Sequence, residues 1–244
     1  LVYQPIFELA TGRIEGVEAL MRWTHPEWGT ISPGRFIPVA EATGLIIDAS
    51  HWALNQACKT LKRLESRLGH NKNRYMSVNF TSKDFAEDSF IETLYEIIAT
   101  QDIMPRQVNL EITEDTLMRD PDNARKSLKM CNKAGLGIAI DDFGLGDHPY
   151  HDLDSFAINT LKIDKMFIRD MTSSSPAYEL VEAMMTLARS LDMTIIGEGV
   201  EYNEEADILS RLGCNSVQGF YYARPMPERD LTDFMRNRPN KSSA

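Results

Sequence analysis

Hydrophobic patterning along the chain alternates between short β-rich runs and longer amphipathic stretches. The short runs predict strands at Val2–Leu9, Ile14–Trp23, Tyr75–Phe80, Gln107–Thr113, Gly137–Phe143, Thr160–Asp164, Thr194–Val200 and Ser216–Phe220. Helical patterns fill most of the intervals. Leu45–Leu68 carries Trp52, Leu54, Leu61, Leu64 and Leu68, with Gly69 as a stop. Asp84–Thr100 places Phe90, Leu94, Ile97 and Ile98 on one face. Asn123–Ala134 follows the helix-starting pair Asp120-Pro121 and ends at Gly135, Ala177–Leu191 follows the cluster Ser173–Pro176, and Asn203–Leu212 ends at Gly213.

A helix after most strands predicts an α/β fold, a modified TIM (β/α)8 barrel, occupying residues 1–236 of the 244 as one domain. No Pro/Ser-rich linker divides the chain. Only Ala10-Thr11-Gly12-Arg13 separates the first two strands, whereas a parallel crossover takes about a dozen residues. The first strand pair is therefore expected to be antiparallel. An open doubly wound sheet is the alternative, but it normally begins with a Gly-rich turn, which this chain lacks. The polar stretch 237–244 is expected to fray.

Charge narrows the function. Lys+Arg 26 against Asp+Glu 36 gives a net charge of −10, which disfavours binding to a DNA or RNA polymer. A phosphorylated ligand would need an added cation, most simply a divalent metal ion. Cys58, Cys131 and Cys214 are far apart and odd in number, which fits reduced buried thiols rather than a disulfide framework or a zinc site. No apolar run approaches the ~18 residues of a membrane span, so no membrane contact is expected of this domain. The chain opens inside a strand, as expected of a piece of a longer protein with sensory or regulatory domains upstream.

The polar residues within the strands carry the chemistry. Glu18, Asn79, Glu111, Asp141-Asp142, Lys162 with Asp164, Glu198 and Gln218 interrupt otherwise apolar runs, mostly at the carboxyl ends. Taken singly, each reads as an ion-pair partner or a solvated strand end. Together they would converge on the face where barrels hold active sites. Carboxylates crowded there must protonate or bind cations, and oxygen-only ligands suit Mg²⁺, Mn²⁺ or Ca²⁺ rather than zinc. The triplet Asp142-Phe143-Gly144 lacks the Gly-rich loop and His-Arg-Asp of a kinase. His148 and His151 lack further ligands and read as surface residues.

These residues fall in ordered motifs that resemble the EAL domain, the bacterial cyclic-di-GMP phosphodiesterase module, over nearly the whole chain. The naming triplet is Glu18-Ala19-Leu20 within EGVEALMRW, followed by FIPVAEATGLI from Phe36. Then come SVNFT around Asn79, LEITEDTLM from Leu110, AIDDFG from Ala139, LKIDKMFI from Leu161, GEGVE ending at Glu201, and VQGF containing Gln218. The resemblance leads to the expectation that a family helix before Tyr3-Gln4-Pro5 is missing from this piece.

The resemblance implies a metal-dependent hydrolysis of cyclic di-GMP to linear pGpG by in-line attack of a metal-activated water. By position, Glu18, Asn79, Glu111 and Asp141 would hold one ion, and Asp141 would bridge to a second held by Asp142. Lys162 and Glu198 would hold and deprotonate the water, supported by Gln218 and Glu201. Arg22 would contact a ligand phosphate, with Gln4 and Leu20 in the same groove, and Glu114 would anchor the loop after the Asp pair. Mg²⁺ or Mn²⁺ is expected to serve and Ca²⁺ to inhibit. A homodimer in the bacterial cytoplasm is expected, the domain belonging to a larger or membrane-anchored protein. The loop departs from the family's DDFGTGYSSLSYL: Leu145 replaces a hydroxyl residue, and Asp147-His148-Pro149 replaces Tyr-Ser-Ser. That departure leaves open a second role, a cyclic-di-GMP receptor with little or no turnover.

Overall fold

The short first connection dictates an antiparallel hairpin, and the structure has one: β1 (Val2–Glu8) pairs with β2 (Ile14–Leu20), Gln4 lying opposite Glu18. The structure, a computed structural model, describes residues 1–145 and 150–238, for 150–152 the backbone only. The strand expected to run to Trp23 stops at Leu20, and a separate small hairpin follows, β3 (Trp23–His25) with β4 (Gly29–Ile31). The remaining strands are β5 (Tyr75–Asn79), β6 (Val108–Thr113), β7 (Gly137–Phe143), β8 (Thr160–Ile163), β9 (Thr194–Gly197) and β10 (Ser216–Val217). They close a barrel in the order β1-β10-β9-β8-β7-β6-β5-β2, parallel throughout except where β1 meets its two neighbours.

Helices surround it: α1 (Pro33–Thr43), α2 (Leu45–Leu68), α3 (Ser82–Phe85), α4 (Phe90–Thr100), α5 (Glu114–Arg119), α6 (Pro121–Lys133), α7 (Lys165–Asp170), α8 (Ser175–Ser190), α9 (Asn203–Arg211) and α10 (Glu228–Asn237). The helix expected over Asp84–Thr100 is two helices. Asp84 accepts from the backbone and hydroxyl of Thr81 at 2.7 and 3.0 Å, so it caps α3 instead of starting α4. Within α2 Leu54, Leu61 and Leu64 are fully buried, but Trp52 is 48% exposed and belongs to the outer face. Four helices went unpredicted. α1 has Pro33 and Pro38 and buries no residue fully, and α5 and α7 are too short for a periodic signal. α10 shows few apolar positions, yet buries Leu231 against the barrel.

Alternation along the strands sorts their side chains. Leu110, Ile112, Ile138, Ile140, Leu161, Ile163 and Ile195 are buried in the core shared with Leu54, Leu94, Leu128 and Met185 of the helices. The opposite parity faces the barrel axis, and it is polar well below the strand ends. Asn109 donates to Ser77 at 3.2 Å, Ser216 donates to Glu15, and the Tyr75 hydroxyl donates to Glu15 at 3.5 Å. The polar positions therefore continue down the interior as a hydrogen-bonded layer beneath the mouth. Of the tail 237–244, Asn237 ends α10 and residues 239–244 lie outside the described residues.

Candidate active site

Parity and register bring the strand-end polar residues to a common centre, Lys162 of β8. Its ammonium is fully buried and lies 2.7 Å from Glu198 Oε1, 2.9 Å from Glu111 Oε2, 3.2 Å from Asp141 Oδ1 and 3.7 Å from Glu18 Oε2. Cross-strand register makes this possible. Asn79 pairs with Glu111, Thr113 with Asp141, and Gln4 with Glu18. Amides complete the ring: Asn79 Nδ2 donates to Glu18 at 3.0 Å, and Gln218 Nε2 donates to Glu18 at 2.8 Å and to Gln4 Oε1 at 3.1 Å.

Two consecutive aspartates on a regular strand would face opposite sides of the sheet. Here the β7–β8 register shifts between Ile140 and Phe143, and Asp142 takes a φ of 53°. This bulge turns both carboxylates toward the mouth, so that Asp141, Asp142 and Glu198 each present an oxygen within 4.8 Å of the others. A left-handed backbone at a residue other than glycine is costly and is common at functional sites.

Two glycines let the last strands converge. A Cβ at Gly219 would lie 2.1 Å from the carbonyl oxygen and 2.2 Å from the nitrogen of Val200. A Cβ at Gly199, whose φ is +64°, would lie 2.2 Å from Lys165 Cβ. The turn after Glu198 and the one after Gln218 are thus in backbone contact, with Val200 N–H donating to the Gln218 carbonyl at 3.1 Å.

Burial and crowding set the protonation pattern. Burial, then the charges of Glu18, Asp141 and Glu198, raises Glu111 well above the usual carboxylate range. Burial and Asp141 do the same to Glu198, and burial pushes Asp142 up to about 6 with help from Asp141 and Asp164. In Glu18 burial is outweighed by Lys162 and by the donors on Gln218 and Asn79, so the net shift is downward. Burial opposes the charge on Lys162, but Asp141, Glu111, Glu18 and Glu198 outweigh it and hold the ammonium charged.

The donor set fits divalent cations. Five carboxylates face one ammonium; fully ionised, they leave the charge that two divalent ions cancel. Glu111 Oε1 is buried with no hydrogen-bond partner among the described residues, and Asp141 Oδ1, though near Lys162, accepts no well-aligned bond. Such orphaned acceptors call for a cation or a donor. Every ligand atom on offer is oxygen, including the carbonyl of Asn79, whose amide nitrogen donates to Glu18.

The centre opens into two adjoining cavities of about 250 and 330 Å³, which share Glu18, Leu20 and Asp141. Gln4 and Glu201 line the first and Arg22 the second. Arg22 is exposed, its guanidinium donating to the Met21 carbonyl at 2.7 Å. Glu114 stands apart from the centre, buried at the start of α5 with both carboxylate oxygens unpartnered among the described residues. The loop it was expected to anchor falls largely outside those residues: Gly146, Asp147, His148 and Pro149, and the side chain of His151. Sequence reasoning missed Lys165 and Phe220, which also line the first cavity. Phe220 is 46% exposed and carries the Arg224 guanidinium 4.2 Å over its ring. Its place in VQGF beside Gln218 was the available signal. Asp164, grouped with the mouth residues in the sequence, caps α7 by accepting from Met166 N–H at 2.8 Å.

The EAL domain family profile matches residues 1–225. The chain is 39% identical over 231 residues to the bifunctional diguanylate cyclase/cyclic di-GMP phosphodiesterase MucR of Pseudomonas aeruginosa, covering 95% of this chain and 33% of that protein. It is 36% identical over 236 residues to the cyclic di-GMP phosphodiesterase PA2567 of the same organism, covering 97% and 40%. The chain thus spans well under half the length of either relative. Among solved structures, that of the PaMucR phosphodiesterase in complex with c-di-GMP superposes with a TM-score of 0.89 at 38% identity, covering 95% of this chain and 93% of that one.

Proposed function

The chain belongs to the EAL domain family, and on that premise we propose that it hydrolyses cyclic di-GMP to linear pGpG with the help of divalent cations. One observation carries the reading: Glu18, Glu111, Asp141 and Glu198 meet around Lys162 at the floor of an open groove. Glu18, Asn79, Glu111 and Asp141 would hold one Mg²⁺ or Mn²⁺, and Asp141 and Asp142 a second. Two such ions supply an acidified water and charge neutralisation at the entering and leaving oxygens.

The chain's own groups do the rest. Lys162, fixed by its carboxylates, presents a charged donor that orients the attacking water. Glu198, 2.7 Å from that ammonium, takes the water's proton. Gln218 Oε1, buried and unpartnered among the described residues, is a further acceptor for the water, and Glu201 stands at the groove's edge. Arg22 meets a ligand phosphate while Gln4 and Leu20 line its path. The water oxygen bonds to phosphorus, the P–O3′ bond breaks, and the 3′ oxygen takes a proton from solvent as it leaves.

Incubation with cyclic di-GMP and Mg²⁺ or Mn²⁺, followed by chromatography for pGpG, tests this reading. Product that disappears with chelator and in Glu18→Ala is expected, as is inhibition by Ca²⁺, whose looser coordination suits in-line geometry poorly. Tight binding without product assigns the domain a receptor role instead. A homodimer and a covalently linked upstream regulatory domain complete the proposal; light scattering on this chain tests the first.

A further inference from the structure

Five of the sixteen arginines, Arg13, Arg67, Arg74, Arg236 and Arg238, line one cavity of about 370 Å³ at the end of the barrel opposite the acidic mouth. They come from the β1–β2 turn, the last turn of α2, the entry to β5 and the end of α10. No lysine joins them. In a chain with ten more acidic than basic side chains, such a convergence runs against the average field.

Among the described residues, two of the five guanidiniums form ion pairs. Arg13 pairs with Glu8 and Arg236 with Asp233, each at 3.2 Å on an exposed edge. Arg67, Arg74 and Arg238 have no carboxylate within ion-pair distance among the described residues. Arg238 is fixed instead by its position over Phe7 and Phe234, 4.3 and 5.5 Å from the ring centres. Nε and Nη1 of Arg74 are buried without a hydrogen-bond partner among the described residues. The acid whose charge reaches Arg74, Glu65, is engaged elsewhere, by Gln107 at 2.7 Å and His70 at 3.0 Å. Buried charged donors left unmade are costly, and an anion in the cavity would offset their charge.

We propose that this cavity binds a small polyanion carrying two or more linked phosphates. Guanidinium forks match phosphate oxygens two at a time, which suits an all-arginine lining better than a mixed one. A monoanion would leave most of the unpaired guanidiniums uncompensated, whereas linked phosphates span the cavity and reach them together. Free oligophosphate and a nucleoside polyphosphate share this chemistry, and parallel titrations separate them.

Calorimetric titration of the chain, stripped of metal on a chelating resin so that the acidic mouth repels anions, provides the test. Inorganic tripolyphosphate is expected to bind at one site, orthophosphate far more weakly, and the affinity to fall with added salt. A nucleoside triphosphate that binds more tightly than tripolyphosphate identifies the nucleotide as the ligand class; equal or weaker binding identifies the oligophosphate itself. The double variant Arg67→Ala/Arg238→Ala removes two exposed side chains and should weaken binding about tenfold or more, with only a small drop in melting temperature from the lost Arg238 stacking. Arg106→Ala, outside the cavity, should change nothing. Absence of tripolyphosphate binding, binding undiminished in the double variant, or equally tight binding of citrate overturns the proposal.

Discussion

Replacing Gly219 by alanine tests whether the contact between the last two strand ends sets catalytic geometry. The new Cβ would lie 2.1 Å from the Val200 carbonyl oxygen, where contacts under 3.0 Å are essentially never seen, so the two turns must separate by about 0.9 Å. Both partners are backbone, and no flexible side chain can yield. The turns carry Glu198 and Gln218, so the separation falls on the water-activating side of the groove. A misplacement near 1 Å costs on the order of 10²-fold in rate, which is the loss expected in pGpG formation. Small-to-large strain of this kind destabilises by about 1–3 kcal/mol, so the variant should still fold. Gly34→Ala, where the added methyl meets open space, should leave the rate unchanged. A folded Gly219→Ala enzyme with full turnover would show that this contact does not position the site.

Three further outcomes follow from the charges and the loop. Lys162→Met should lower turnover by about 10²–10⁴-fold and, without metal, destabilise the fold by several kcal/mol, about the cost of breaking a buried pair. Denaturant titration should find that cost larger at pH 8 than at pH 5, where the raised carboxylates are protonated; equal losses at both would refute the burial argument. In the metal-free protein Asp142 titrates near 6 against an ordinary 3.8, and Glu111 and Glu198 are also raised, so the folded form holds protons that the unfolded chain has released. Stability from these groups therefore falls as pH rises through 4 to 6 and beyond. Divalent ions displace those protons, so the thermal shift caused by Mn²⁺ should grow between pH 5 and 8, and a flat response would contradict the proposed site. Finally, Leu145→Thr combined with Tyr, Ser and Ser at 147–149 should raise turnover by about tenfold if the family loop sequence matters; an unchanged rate would make the substitution neutral.

Much was legible in the sequence because the relevant signals are local. Strand periods, a connection too short for a crossover, and carboxylates at strand ends can be read residue by residue, and they led to the barrel, its antiparallel first pair and the composition of the mouth. Other features needed the closed sheet. Nothing local shows that Asp164 caps α7 while standing beside Asp142, or that a bulge turns Asp142 into the site, because both depend on pairing with the neighbouring strand. The polar interior layer of Ser77, Asn109 and Ser216 was hidden for the same reason: a lone polar residue reads alike on either face until parity is known. α10 and the arginine cavity beneath the barrel join residues from both ends of the chain, and only the folded sheet brings them together. Sequence determines which chemical groups are available; proximity between distant segments, and therefore charge, burial and protonation, belongs to the tertiary structure.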